Sequence, residues 1–153
     1  MKTIEEAFIH EGYLSIPFSY NGAGHPIIKV TVANGFQTNI LLDTGASANL
    51  LDLEFAKEIG LNPTPTGEKG GGAGGLTLDV FTIDNLTLEI NGKHLQFTDF
   101  LSMDFTTIKQ SLITNGLEAD FHGILGFGFF KKTKCFIDYS SDRIFIQNNF
   151  YIE

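Results

Sequence analysis

Between Tyr13 and Tyr20 the apolar residues Leu14, Ile16 and Phe18 alternate with Ser15 and Ser19, the period of two that predicts a strand. The run from Ile27 to Ala33 ends in Asn34-Gly35, the dipeptide that most readily takes the two positive-φ positions of a tight hairpin, and 36–42 returns as its partner strand. Residues 76–83 (LTLDVFTI) and 86–90 (LTLEI) alternate again, and Asn91-Gly92 leads into an alternating segment at 94–100, giving two further hairpin-like units. The helical period is confined to two short stretches. One runs from Asp52 to Ile59, with Asp52 as N-cap, Gly60 as stop and Leu53, Ala56 and Ile59 facing inward, and a second occupies 128–132. Many short strands joined by Asn-Gly turns predict an all-β barrel or sandwich rather than alternating βαβ units.

Two features interrupt this pattern. Residues 69–75 (KGGGAGG) are of low complexity, bracketed by β-like sequence and read as too mobile for a strand interior. The strand at 36–42 ends in three apolar residues and runs directly into a carboxylate, in Ile40-Leu41-Leu42-Asp43-Thr44-Gly45-Ala46-Ser47. By itself this is most simply a strand-terminating Asp turn, which is common, while a buried strand that leads into an unpaired acid leaves open a second reading in which chemistry needs that acid.

The chain has 153 residues, 42% of them hydrophobic and 18% charged, which suffices for one core and not for two, so a single domain over 1–153 is expected. The 15 Phe, set against no Trp, are read as core filling. A formal net charge of -8 argues against nucleic acid or an anionic membrane surface as partner. A single cysteine, Cys135, permits no intrachain disulfide and sits where alternation suits a strand rather than a nucleophile. Residues 1–12 carry no apolar run, so neither a signal peptide nor a membrane span is read there. The expected location is cytoplasmic, or periplasmic or secreted if a leader has been cleaved.

The segment Ile40 to Ser47 resembles the active-site signature of the pepsin and retropepsin clan, apolar-apolar-Asp-Thr-Gly-Ala-Ser. Further along, His122 is followed by Gly123-Ile124-Leu125-Gly126, similar to the clan element that threads against the catalytic loop, and 136–139 with 143–146 looks like its closing hairpin. The resemblance implies a retropepsin-like aspartic peptidase of the bacterial, single-domain type, folded as a closed β-barrel with one or two short helices. It implies Asp43 as the catalytic residue, Thr44 bonding across to the partner loop, Gly45 with its N–H towards the carboxylates, Ala46 as a residue that must be small, and Ser47 bonding the outer carboxylate oxygen. Ile124, Leu125 and Gly126 support the loop, and Gly70, Gly71, Gly72, Ala73, Gly74 and Gly75 form the flap over a bound peptide.

Competing readings are weaker. Gly70, Gly72 and Gly75 fit a dinucleotide fingerprint, but 76–80 alternates as a strand where that motif needs a helix. There is no G-x-S-x-G elbow. His10, His25 and His94 lack metal-ligand spacing and are read as surface residues, and neither metal nor cofactor is expected. His122, where many relatives carry a small or acidic residue, is read as facing solvent without consequence. Phe127 to Phe130 is read as core or interface.

Aspartic catalysis needs two carboxylates, one activating water and one protonating the scissile carbonyl. No second Asp-Thr-Gly or Asp-Ser-Gly occurs in the chain. A homodimer acting on a peptide or protein substrate is therefore expected, each chain giving one Asp43. The alternative is a catalytically inactive dimerisation or peptide-binding module of the same fold.

Overall fold

The computed structural model describes residues 1–32, 35–71, 77–147 and, for the backbone, 151–152. In chain order the elements are α1 (Ile4–His10), β1 (Tyr13–Pro17), β2 (Ser19–Tyr20), β3 (Pro26–Val32), β4 (Phe36–Leu42), β5 (Leu50–Asp52), α2 (Leu53–Glu58), β6 (Thr64–Gly71), β7 (Thr77–Ile83), β8 (Leu86–Ile90), β9 (Lys93–Phe97), β10 (Phe100–Met103), α3 (Thr106–Thr114), β11 (Gly123–Leu125), α4 (Phe127–Lys132), β12 (Phe136–Asp138), β13 (Arg143–Gln147) and β14 (Tyr151–Ile152).

The strands form a three-stranded sheet in the order β1-β13-β12 and an 11-stranded sheet running β14-β9-β8-β3-β4-β11-β5-β10-β7-β6, with β2 beside β3. Among the described residues the large sheet is not closed on itself, β14 and β6 being its two ends, so the closed barrel expected above is not borne out. The predicted strands are nevertheless there. In β3, Ile28, Val30 and Val32 are buried while Lys29 is exposed, as the alternation requires. The β8–β9 hairpin turns on Asn91 (φ 51°) and Gly92 (φ 79°), both in the left-handed region that a primed turn demands. Gly35 likewise has φ 95°, whereas Asn34 lies outside the described residues. The segments 76–83 and 86–90 do not pair with each other, because β7 lies between β6 and β10 and β8 between β3 and β9.

Helices are more numerous than expected. α2 and α4 occupy the two predicted stretches, but α1 and α3 are additional. α1 has a reciprocal capping box, Thr3 Oγ1 accepting from Glu6 N and Glu6 Oε2 from Thr3 N, and its Phe8 stacks on Phe145 at 4.4 Å between ring centroids. The spacing Thr3-x-x-Glu6 is legible in the sequence. Among the described residues no helix is long and apolar enough to cross a membrane.

Two apolar clusters flank β4. Ile40 and Leu42 enter the main core with Leu51, Phe97, Leu125 and Phe129, while Leu41 enters a second cluster with Phe105, Phe121 and Ile124, edged by Leu112 of α3. A strand covered on both faces reads as a continuous apolar run, which is why alternation stops at Ile40. Phe97, Phe100, Phe105, Phe121, Phe129 and Phe145 are among the largest fully buried side chains, so much of the phenylalanine content is core. Full burial of one such ring is worth about 1.5–3 kcal/mol.

Candidate active site

The end of β4 delivers Asp43 to a loop, residues 43–49, that leads into β5. Between these two strands lies β11, parallel to β4 (Gly123↔Ile40, Ile124↔Leu41, Leu125↔Leu42) and antiparallel to β5 (Gly123↔Leu51, Ile124↔Leu50). The loop therefore wraps around the end of β11. Asp43 N donates to Leu125 O at 3.0 Å, and Phe127 N donates to Ala46 O at 2.8 Å, so the chain passing through the loop is bonded on both sides.

The Asp43 carboxylate accepts from Gly45 N at 2.9 Å, and Ala46 N closes the turn on Asp43 O at 3.1 Å. A Cβ on Gly45 would stand 3.2 Å from the same carboxylate oxygen, so the absence of a side chain lets the amide approach the acid. Asp43, Thr44, Gly45 and Ser47 are exposed, Ala46 is half-buried, and Ile124, Leu125 and Gly126 are buried beneath them. The Ser47 hydroxyl makes no bond to the carboxylate within the single chain, and Thr44 has no hydrogen-bond partner among the described residues.

Gly126 is the tightest point. A Cβ there would lie 2.5 Å from Ala48 O and 2.6 Å from Ala46 O, and neither backbone oxygen can rotate away. Gly126→Ala is expected to cost at least the upper end of the roughly 1–3 kcal/mol typical of overpacking. That should lower the thermal midpoint by about 5–10 °C; an unchanged midpoint would mean that the loop is not held as described.

Asn49 was not singled out in the sequence, yet it ties the site together. Almost fully buried, it accepts through Oδ1 from Gly126 N (2.9 Å) and Phe129 N (3.2 Å), and its backbone O accepts from Leu101 N of β10 (2.9 Å). An amide immediately before the apolar pair Leu50-Leu51 was the available signal, since a polar group entering a buried strand must find partners.

His122 does not simply face solvent. Its ring stacks on Phe55 at 4.5 Å, its Nδ1 lies 2.8 Å from Lys109 Nζ and 3.8 Å from Asp52 Oδ2, and its side chain is 35% exposed. Asp52 holds the N-cap position of α2 but makes no capping bond; its Oδ1 accepts from Phe105 N at 3.0 Å instead. Burial pushes the Asp52 carboxyl up, but the combined pull of His122, the Phe105 amide and Lys109 outweighs it and holds the group below its ordinary value. These groups brace the opposite end of β11, where Asp52 N donates to His122 O at 2.8 Å, rather than touching Asp43.

Gly70 and Gly71 belong to β6, paired with Leu78 and Thr77 of β7, which corrects the reading of the whole glycine-rich patch as unfit for a strand. Gly70 suits the position because a Cβ would come within 2.9 Å of Val80 Cγ2. Gly72, Ala73, Gly74 and Gly75 lie outside the described residues. Burial raises the Cys135 thiol to about 12, which keeps it protonated and unreactive. Among the described residues no group of three or more His, Cys, Asp or Glu could hold a metal ion.

Three comparisons bear on this arrangement. The family model described as aspartyl protease matches residues 28–129. No curated protein matches the chain. Among solved structures, the chain resembles the protease of EIAV in complex with an inhibitor, at 24% identity over 74% of this chain and 92% of that one, with a TM-score of 0.51. It also resembles the retroviral protease-like domain of Ddi1 from Leishmania major (15% identity, 83% and 91% covered, TM-score 0.57). A third is a retropepsin-like aspartic protease from Rickettsia conorii (22% identity, 88% and 89% covered, TM-score 0.51). With the matched region running from β3 through the Asp43 loop and Gly126 into α4, the chain belongs to the aspartyl protease family and has the retropepsin-like fold.

Proposed function

We propose that the protein is an aspartic endopeptidase, one domain over residues 1–153, that works as a homodimer. The observation that carries this reading is an exposed Asp43 carboxylate held by the Gly45 amide on a loop wrapped around Ile124-Leu125-Gly126. A buried loop base with an exposed acid and hydroxyl at its crest suits a site completed from outside the chain. A two-fold axis between two such loops brings two Asp43 carboxylates together without a second motif in the sequence.

In this mechanism a water held between the carboxylates attacks the scissile carbonyl. One carboxylate takes the proton from water while the other, protonated, gives its proton to the carbonyl oxygen, and the roles reverse as the amine leaves. No metal, cofactor or covalent intermediate is required. Residues 70–75 are assigned as the lid by the resemblance, and an extended peptide would bind by backbone bonds with side chains entering alternate pockets.

The test is digestion of a peptide library by the dimeric protein, with Asp43→Asn as the control. Cleavage by the wild type alone supports the reading, whereas a dimer that binds peptides and cuts none supports the inactive module. Thr44→Val separates assembly from chemistry. Its hydroxyl, unpartnered in the single chain, is expected to bond across the axis, so the variant should weaken the dimer by roughly 1–3 kcal/mol. Specific activity should then fall at a higher concentration on dilution than for wild type, and recover when the protein is concentrated; equal dilution curves would remove Thr44 from the interface.

A further inference from the structure

We propose that Asn49 is the positioning residue of the site, fixing the separation between the Asp43 loop and the Gly126 turn with an amide oriented by Asp99. The mechanistic half rests on the peptidase reading, while the anchoring half stands on geometry alone.

Asn49 ends the loop that begins at Asp43, and three bonds leave it in three directions. Its Oδ1 takes the N–H of Gly126, which the helix itself does not satisfy, and shares the N–H of Phe129 with Gly126 O (3.2 Å against 3.0 Å), while its backbone O takes Leu101 N. The loop, the β11 turn, α4 and β10 are thus referred to one residue, β10 through its backbone and the others through its side chain. Its reach sets how closely Gly126 approaches Ala46 O and Ala48 O, the contacts that a Cβ would violate. Asp43 is bonded to Leu125 O, the residue next to Gly126, so a shift of the Gly126 turn carries the acid with it.

The amide must face one way. Oδ1 is committed to two donors, which leaves Nδ2, buried and without a partner, on the other side. That side opens over Gly128, where a Cβ would lie 2.8 Å from Asp99 Oδ2 and 3.1 Å from Asn49 Nδ2. Glycine keeps this notch clear, and the exposed Asp99 carboxylate across it makes no hydrogen bond to Nδ2, so its negative charge alone favours the observed amide orientation. A rotated amide would place its donor against two N–H groups and turn its oxygen towards the carboxylate across the notch.

The experiment compares wild type, Asn49→Ala, Asn49→Asp and the double variant Asn49→Asp with Asp99→Asn. Two readouts are used: amide hydrogen exchange at Gly126 and Phe129, and kcat and KM for a cleaved peptide. In Asn49→Ala, exchange at Gly126 should accelerate by about tenfold or more, and at Phe129, which keeps its bond to Gly126 O, by less. Its kcat should fall between about tenfold and a hundredfold with KM little changed. Asn49→Asp should behave similarly near neutral pH, because its second oxygen faces Asp99. The double variant exchanges donor for acceptor across the notch and should restore both protection and kcat. Unchanged exchange at Gly126 in Asn49→Ala, or a double variant no better than Asn49→Asp, would overturn the proposal. A wild type that cleaves no peptide would sink the peptidase reading and leave the anchoring to be decided by exchange.

Discussion

Mixed with wild-type chains, Asp43→Asn is expected to depress peptide hydrolysis faster than it dilutes the wild type. The substitution keeps the shape of the side chain and can still accept from Gly45 N, so the loop should fold as before. What it removes is the ability to take up and release a proton, and such general acid–base work is worth about 10²–10⁴ in rate. The pure variant should therefore lose at least that much. In a mixture, chains that pair at random form wild-type homodimers in proportion to the square of the wild-type fraction, so an equal mixture retains roughly a quarter of the activity. Activity that tracks the wild-type fraction linearly would show that each chain carries a complete site. A monomer that hydrolyses at full rate would show the same.

A second large effect on stability is expected away from the Asp43 loop, at Asp52. Its carboxylate accepts from Phe105 N and lies 3.4 Å from Lys109 Nζ and 3.8 Å from His122 Nδ1, in a position that leaves its side chain 8% exposed. Asp52→Ala strands the Phe105 amide and leaves Lys109 without its counter-charge. Breaking a buried ion pair from one side costs about 3–5 kcal/mol, and the lower end applies because Lys109 and His122 are partly open to solvent. Asp52→Asn retains an acceptor and should cost less. The two variants also differ from wild type in pH dependence. Because the folded carboxyl is held below its ordinary value, near 3.9 when unfolded, its contribution is present above that value and is lost as pH falls through the lower folded one. Wild type should thus lose stability in acid, and Asp52→Asn should lose less over the same range. Denaturant titrations at neutral pH and near pH 3 test this, and identical acid slopes for the two proteins would remove Asp52 as the source.

What the sequence determined is local. The alternation in β3, β8 and β9, the Asn91-Gly92 turn and the short helix after Asp52 were all legible, because each depends on side-chain period and on backbone conformations available to a few residues. Asp43, Thr44 and Gly45 stood out for another reason: with the apolar run before them they resemble the clan's active-site signature, and their roles are part of the proposal. Thr3-x-x-Glu6 is a local signal of the same kind for α1, a helix not among those expected.

Only the tertiary structure decided the rest. The insertion of β11 between β4 and β5 is a parallel pairing of residues far apart in sequence, and nothing in the period of Gly123-Ile124-Leu125 says which strands will receive it. The open edges of the large sheet are likewise a matter of which strands meet, not of how each one reads. Asp52 carried a good capping signature, but Phe105 N, distant along the chain, offered its carboxylate a buried bond that the helix end did not. His122 was drawn from solvent by Phe55 and Lys109. Asn49 meets the Gly126 turn because folding brought the orphan Gly126 N–H, and the Phe129 N–H beside it, to a buried amide. In each case the local preference was small, and a long-range partner for a buried polar group outweighed it.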